Sequence, residues 1–441
     1  MTEAVDSLYP AHLKEVRRRT DAALTSAGFD RVAVFSGRPT YRFLDDAPYP
    51  FKVNPHFKHW APLIDAPESF IAYEPGHKPV LHFYQPADYW HRSPELPGDA
   101  WLRQFDVRVL RDPSEARAAL NAGAARTGFI GEWQAEFGDW GFSQANPESL
   151  LGPLHYQRAI KTPYEVACMR GASALGARGH LAARDAFFAG ASEYEVHFAY
   201  CEAMDVCEDD LPYSNIITFD EGGAILHNHH RSRHRDVPHR SFLIDAGAEF
   251  RGYACDITRT YSGGDPGFMD LIGAMDTAQL RLCDAVRSGT DYRDVHLLAH
   301  RLVSEVLRDA EIIHCSADTA VATGVSSVFL PHGIGHLLGL QVHDVAGLAR
   351  DACGGEIPRP PGHPFLRLTR RLEPGFVVTI EPGLYFIDLL LSEARADARG
   401  NHIDWDAVDR WRPFGGIRIE DDVLCTDGAP ENLTREAFVR H

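Results

Sequence analysis

In the stretch SFLIDAGAEFRGYACDITRTYSG, Asp245 and Asp256 sit on two β-rich runs that flank Glu249, Phe250, Arg251 and Gly252. If Phe250 and Arg251 form a two-residue hairpin turn, the two aspartates fall directly opposite each other across the ladder. Directly opposed residues hold their Cβ atoms about 4.5–5.5 Å apart, so two unpaired carboxylates there repel. Cations about 3.5–4 Å apart, bridged by carboxylates, would relieve that repulsion. A bulge would change this register.

Further acids and histidines follow. VVTIEPG ends an apolar strand on Glu381, beside a Pro-Gly turn. In GGIRIEDDV the period-2 alternation of a strand sets Ile417 and Ile419 on one face, Arg418 and Glu420 on the other. PHGIGHLLGLQVHD carries His332, His336 and His343 among glycines that argue against a regular helix and allow close backbone approach. Each residue alone has an ordinary explanation: a strand-end Asp caps a turn, a Glu before Pro-Gly is solvated, a lone His is structural, and Arg418 makes an ion pair. Their conjunction on apolar strands is different, because unpaired charge there is costly. Oxygen-rich ligation with one imidazole and no thiolate suits Mn²⁺ best, with Co²⁺, Fe²⁺ or Zn²⁺ as alternatives.

The elements that must position these groups divide the chain of 441 residues into two parts, as its length alone suggests. Residues 1–155 open with a helical pattern from His12 to Ala27. Short apolar runs then follow (RVAVFSG, SFIAYEPG, PVLHFYQ, VRVL, TGFIGEW), which predict a smaller α/β domain. The polar NPESLLGP marks the boundary. In residues 156–441, Thr162, Pro163 and Glu165 predict a helix N-terminus. Helices near 164–189, 192–207, 266–287 and 292–309 then interleave with strands near 214–219, 241–249, 253–262, 375–381 and 414–425, an α+β pattern. A net charge of −18 disfavours nucleic acid and anionic membrane surfaces as partners. No long apolar run or secretory leader is evident, and eight cysteines lack a CxxC pair, so a cytoplasmic chain without disulfides is expected.

The order Asp245, Asp256, His336 in HGIGH, Glu381 in TIEPG and Glu420 in GIRIED resembles the five-ligand set of the pita-bread metallopeptidases, which include methionine aminopeptidase, aminopeptidase P and prolidase. FLDDAPYPFKVNPHFKHW, PADYWH, LPYSNI and PHGIGHLLGLQVHDVAG resemble the bacterial prolidases (Xaa-Pro dipeptidases), organophosphorus acid anhydrolase-like members included. The likeness spans nearly the whole chain. It implies a C-terminal pita-bread (creatinase/aminopeptidase) fold, two divalent metal ions per subunit, a homodimer, and hydrolysis of Xaa-Pro dipeptides with a side activity on phosphotriesters.

The same resemblance implies roles. Asp245 would bind one metal through both oxygens, Asp256 and Glu420 would bridge, and His336 and Glu381 would complete the other shell. Glu381 is the expected base or proton shuttle. His227, His332 and His343 match pocket histidines at the scissile carbonyl or the developing tetrahedral centre, and Arg418 matches an arginine facing both ligands and substrate. Arg367 matches the receptor for the substrate's free carboxylate, a charge-assisted contact that restricts substrates to dipeptides. Asp45, Trp90, Tyr213, Tyr292, Val342 and Leu366 match subsite-lining positions. Two positions depart from the bacterial pattern: Asn228 stands where relatives often have Tyr, and Leu337 where many have Pro. Neither removes a ligand. The tract HNHHRSRHRDVPHR invites a metal claim, but its interleaved arginines would repel a cation, so apart from His227 it reads as an exposed connection. Aminopeptidase P, acting on longer peptides, is the alternative reading, and a catalytically dead pita-bread binding module is a third. Arg367 separates the first two, while retention of all five ligands argues against the last.

Overall fold

The computed structural model describes residues 2–235 and 238–440. It divides into two compact units, Met1–Cys168 with Asp351–Gly355, and Met169–Arg350 with Glu356–His441.

In the first unit, strands β1 (Arg31–Phe35), β2 (Phe70–Tyr73), β3 (Val80–Tyr84), β4 (Asp106–Leu110), β5 (Thr127–Ile130) and β6 (Gln144–Ala145) form one mixed sheet in the order β4-β3-β2-β1-β5-β6. All five apolar runs of the sequence are strands in it. Its core is aromatic, with Phe35, Phe70, Phe129 and Phe137 packed together. The first helix starts ten residues before its predicted start and runs through Pro10, from Thr2 to Ala27. Burial explains the extension: Val5 and Tyr9 continue the buried stripe of Leu13, Val16 and Leu24. A helix, Glu148–Arg158, begins within NPESLLGP. The predicted helix start at Thr162 is a reciprocal cap, with the Thr162 N–H donating to Glu165 (2.8 Å) and the Glu165 N–H donating to Thr162 Oγ1 (3.4 Å).

The second unit contains β7 (Ile216–Phe219), β8 (Ser241–Asp245), β9 (Glu249–Phe250), β10 (Tyr253–Ala254), β11 (Thr258–Ser262), β12 (Val377–Ile380), β13 (Gly383–Tyr385), β14 (Gly416–Arg418), β15 (Asp421–Leu424) and β16 (Glu431–Asn432). They make antiparallel sheets in the orders β11-β8-β7 and β12-β15-β16, with two-stranded ribbons β9-β10 and β13-β14. Phe242, Ile244, Ala246 and Ile257 project from one face into a core shared with the helix Glu193–Met204, through Val196 and Tyr200, and with Phe187. Alternation therefore turns Asp245 to the other face. Cys255 lies fully buried in the same core, as its alternation with Asp256 requires.

The hairpin differs from expectation in one respect. Its turn is Arg251–Gly252, both at positive φ (53° and 87°), because a turn of this kind is cheaper with glycine at a left-handed position. Asp245 therefore faces Thr258 and not Asp256. Moving a turn by one residue moves the register by two, and a two-residue slip returns every side chain to its original face. Asp256 consequently remains on the face of Asp245, one diagonal step away.

A third ladder forms without a named strand. The Thr379 N–H donates to the His336 carbonyl (3.0 Å), the Glu381 N–H to that of Ile334 (2.9 Å), and the Leu338 N–H to that of Val377 (3.0 Å), so the glycine-bearing segment runs antiparallel to β12. Gly335 makes this possible. Its φ is 154°, and a Cβ there would lie 2.1 Å from the Thr379 carbonyl oxygen and 2.4 Å from the Tyr292 hydroxyl. Gly335→Ala is expected to cost about 2–4 kcal/mol in urea unfolding, and a loss under about 0.5 kcal/mol, the scale of a neutral surface change, would count against this fit.

Candidate metal centre

Three diagonal pairings bring the five predicted ligands together. Thr258, at the start of β11, faces Asp245 on one side and forms a bridge with Glu420 on the other, so both acids flank it on one face. Asp256 lies two residues before Thr258 and is diagonal to each. His336 faces Thr379, which makes Glu381 its diagonal neighbour. Diagonal partners have Cα atoms about 7–8 Å apart, close enough for carboxylates to share an ion and far enough to admit one.

The contacts follow this frame. Oxygen and nitrogen donors of Asp256, His336 and Glu420 all lie within 4.8 Å of one another. His336 Nε2 is 3.5 Å from Asp256 Oδ2 and 3.7 Å from Glu381 Oε1. Its Nδ1–H donates to the Leu337 carbonyl (3.0 Å), which turns Nε2 toward the acids; burial disfavours a second proton there, but the bond to Asp256 and the charge of Glu381 outweigh it and raise the His336 pKa. Leu337 thus contributes through its backbone, whatever side chain it carries. The Tyr213 hydroxyl lies 2.9 Å from Asp245 Oδ1 and 2.6 Å from Asp256 Oδ1, but with one hydrogen it can donate to only one of them. Thr258 Oγ1 donates to Glu420 (2.7 Å) and accepts from Arg418 Nε (3.3 Å), which confirms that Arg418 and Glu420 point the same way. Arg418 Nη2 pairs with Asp245 at 2.8 Å.

Electrostatics test whether a cation fits. Arg418 pairs directly with one of the four clustered acids, and the excess negative charge shows in the titration. Burial, then the charges of Asp256, Glu381 and Asp245, push Glu420 well above the usual carboxylate range. Burial lifts Glu381 to about 7 against the attraction of His336. Asp245 is raised by burial despite Arg418. Burial also acts on Asp256, but its bonds to His336 and Tyr213 overcome it and hold that carboxyl low. Such a set binds protons unless divalent cations replace them, and hard carboxylate oxygens with one imidazole are fitting ligands. Asp245, Asp256, His336, Glu381 and Glu420 could hold them.

A polar relay absent from the sequence reading supports the centre. Arg418 Nη1 donates to the Tyr385 hydroxyl (2.9 Å), which contacts His332 Nε2 (2.9 Å), while His332 Nδ1 contacts the Gly333 carbonyl (2.8 Å). A carbonyl only accepts, so the proton sits on Nδ1 and Nε2 accepts from Tyr385. Burial lowers the His332 pKa to about 4, so it is neutral with no N–H left for an oxyanion. Tyr385 was legible in principle, because Glu381, Gly383 and Tyr385 share the period-2 face of one strand. Thr258 and Thr379 carried no such signal.

The other sequence-predicted residues separate by exposure. His343 is exposed with its ring edge-on to His336 (4.4 Å between centroids), and burial plus the charge of His336 bring its pKa to about 4. His227 and Arg367, also exposed, lie near enough to His343 for their charges to act on it. Val342 is half-buried. Tyr292 and Leu366 are fully buried, which corrects their reading as pocket-lining side chains: Tyr292 instead donates to the Thr379 carbonyl at 2.8 Å and braces the His336 ladder. Asp45 and Trp90 occupy exposed loop positions of the first unit. Asn228 ties its loop to β7 through Thr218 (3.0 Å). In the histidine- and arginine-rich tract, Arg231 pairs with Glu208, Arg235 with Glu195 and His239 with Asp220, and among the described residues no metal-capable cluster forms there.

Comparison with known proteins agrees with this geometry. Residues 167–427 match the description "Metallopeptidase family M24", and residues 7–156 match "Xaa-Pro dipeptidase, N-terminal domain". The chain belongs to this metallopeptidase family. Within it the peptidase is a bacterial prolidase-type member. It is 51% identical over 433 residues to an Xaa-Pro dipeptidase of Stenotrophomonas maltophilia, covering 98% of this chain and 97% of that one. It is 50% identical over 436 residues to an Xaa-Pro dipeptidase of Xanthomonas axonopodis pv. citri, covering 99% and 98%. Aminopeptidase P of Pseudomonas aeruginosa shares the fold, with a TM-score of 0.72 at 23% identity over 96% of this chain and 95% of that one. Both the pita-bread architecture and the separate N-terminal domain are thereby accounted for.

Because Glu381 takes up its proton in the folded state near pH 7 but in the unfolded chain only near the usual carboxylate value, the metal-free fold loses stability as pH rises between the two. Cations need the deprotonated acids. The gain in Tm on adding Mn²⁺ to chelator-stripped protein should therefore grow from pH 5.5 to 7.5, and a gain that is flat or shrinks would contradict the competition between protons and metal.

Proposed function

We propose that the chain is a dipeptidase that hydrolyses Xaa-Pro dipeptides, using two divalent ions, Mn²⁺ the best suited, held by Asp245, Asp256, His336, Glu381 and Glu420. The observation that carries this reading is the five-donor face around Thr258 and Thr379, with more buried negative charge than Arg418 balances. Identity near 50% to Xaa-Pro dipeptidases over the whole chain supports the substrate class.

When bound, such ions supply a water acidified to near neutral pH and polarise the scissile carbonyl. The protein's own groups do the rest. Asp256 and Glu420, diagonal neighbours beside Thr258, would hold the ions together with Asp245, His336 and Glu381. Glu381, deprotonated once cations are bound, would accept the proton of the attacking water and return it to the departing prolyl nitrogen, which has no hydrogen of its own. Neutral, exposed His343 donates to the oxyanion, a role that His332 cannot fill while its N–H serves Gly333. His332 and Tyr385 instead hold Arg418 against Asp245. Arg367 receives the carboxylate of the dipeptide, and Tyr213 orients the two aspartates. Eight cysteines scattered along the chain without a CxxC pair support a reducing compartment, and a cytoplasmic homodimer completes the reading. No described helix is long and apolar enough to cross a membrane.

Asp256→Ala or Glu420→Ala should abolish turnover of Leu-Pro with Mn²⁺ while leaving the protein folded by circular dichroism; undiminished turnover refutes the ligand assignment. A panel of Gly-Pro, Leu-Pro, Ala-Pro-Ala and Leu-Leu should yield activity on the first two, and Arg367→Ala should raise KM for them by about 10- to 100-fold, the worth of a charge-assisted contact, with little effect on amide-blocked substrates. Rapid cleavage of Ala-Pro-Ala, insensitive to Arg367, would favour the aminopeptidase P reading.

A further inference from the structure

Away from the carboxylate face, His296, His300 and His363 each place a ring nitrogen within 4.8 Å of the others. His296 and His300 stand one turn apart on the helix Tyr292–Asp309, a spacing that puts both on the same face. His363 arrives from the loop PPGHP. The three ring centroids are 4.5–4.7 Å apart. His296 and His300 are each 1% exposed, and His363 is half-buried.

Three of the ring nitrogens in this cluster are left unsatisfied among the described residues. Among the described residues neither nitrogen of His296 nor Nε2 of His300 has a hydrogen-bond partner. Buried polar atoms are costly when left so. Protonation offers no escape, because burial holds His296 near 3 and His300 near 2. All three are therefore neutral imidazoles at physiological pH, the form that binds metal. His300 Nδ1 is 3.0 Å from Ser326 Oγ, a contact that can hold the proton there and leave Nε2 as a free lone pair. Edge-to-face packing would explain the ring angles but not the unpartnered nitrogens.

We propose that His296, His300 and His363 form a separate mononuclear site for a borderline divalent ion such as Zn²⁺, with a fourth position open to water beside His363. Three imidazoles without a carboxylate select Zn²⁺, Ni²⁺ or Cu²⁺ over the oxygen-preferring Mn²⁺, so the two centres differ in metal preference. Zinc–nitrogen bonds of about 2.0–2.1 Å in a tetrahedron bring the nitrogens to about 3.3 Å, a small closure from the present spacing. The ion would staple two segments that serve the catalytic face. Tyr292, at the head of the histidine-bearing helix, holds the Thr379 carbonyl, and the loop of His363 leads within four residues to Arg367.

The test titrates chelator-stripped full-length protein with Zn²⁺ alone and counts bound zinc by elemental analysis after gel filtration. His363→Gln and His296→Gln should each bind one zinc per chain fewer than the unsubstituted protein while remaining folded by circular dichroism. The double variant Asp256→Ala/Glu420→Ala, which dismantles the carboxylate centre, should still retain one zinc. Equal zinc content in the unsubstituted protein and both histidine variants overturns the proposal, as does a double variant that binds none.

Discussion

The structure depends on keeping four carboxylates together on one sheltered face of a sheet. Like charges in a medium less polar than water repel strongly, and withdrawing them from solvent adds a further cost. Arg418 offsets part of this and protons on Glu420 and Glu381 offset more, but each is a substitute for cations. The surroundings can be read as devices for tolerating that charge. Tyr213 spans two of the acids, Thr258 links Glu420 to Arg418, and the Asp422 carboxylate accepts the Asp256 backbone N–H from behind (3.2 Å).

Diagonal pairing is what makes the arrangement useful as well as bearable. Directly opposed carboxylates, with Cβ atoms about 4.5–5.5 Å apart, repel most strongly, whereas diagonal neighbours about 7–8 Å apart repel less and stay within reach of a shared ion. The face is held firm by what lies behind it, since Ile244, Ala246 and Ile257 are locked into a helix-backed core. A ligand set of this kind must be preorganised, and strands packed on helices hold side chains more precisely than loops do.

Rigidity and access are divided between different residues. The ligand strands and their braces, Tyr292, Thr379 and Tyr385, are buried, while His227, His343 and Arg367 stand exposed at the approach to the centre. Chemistry common to a metallopeptidase family can therefore sit on the inner face while the approach varies between members. This fits a fold shared with aminopeptidase P at 23% identity and a much closer likeness to Xaa-Pro dipeptidases.

The strands and helices near the site were legible in the sequence because apolar alternation, Thr162 with Glu165, and the Gly-rich HGIGH segment are local signals. The face on which each acid lies was legible for the same reason: period-2 alternation survives a register error of two residues, as the shift from Phe250–Arg251 to Arg251–Gly252 shows. The motif order also sufficed to place the chain in its family. What only the tertiary structure decided was partnership across long sequence separations. It set Thr258 between Asp245 and Glu420, engaged the nitrogens of His332 with Gly333 and Tyr385, and buried Tyr292 as a brace where a pocket wall was expected. Such facts depend on which strands meet and how closely, and no local pattern encodes that distance.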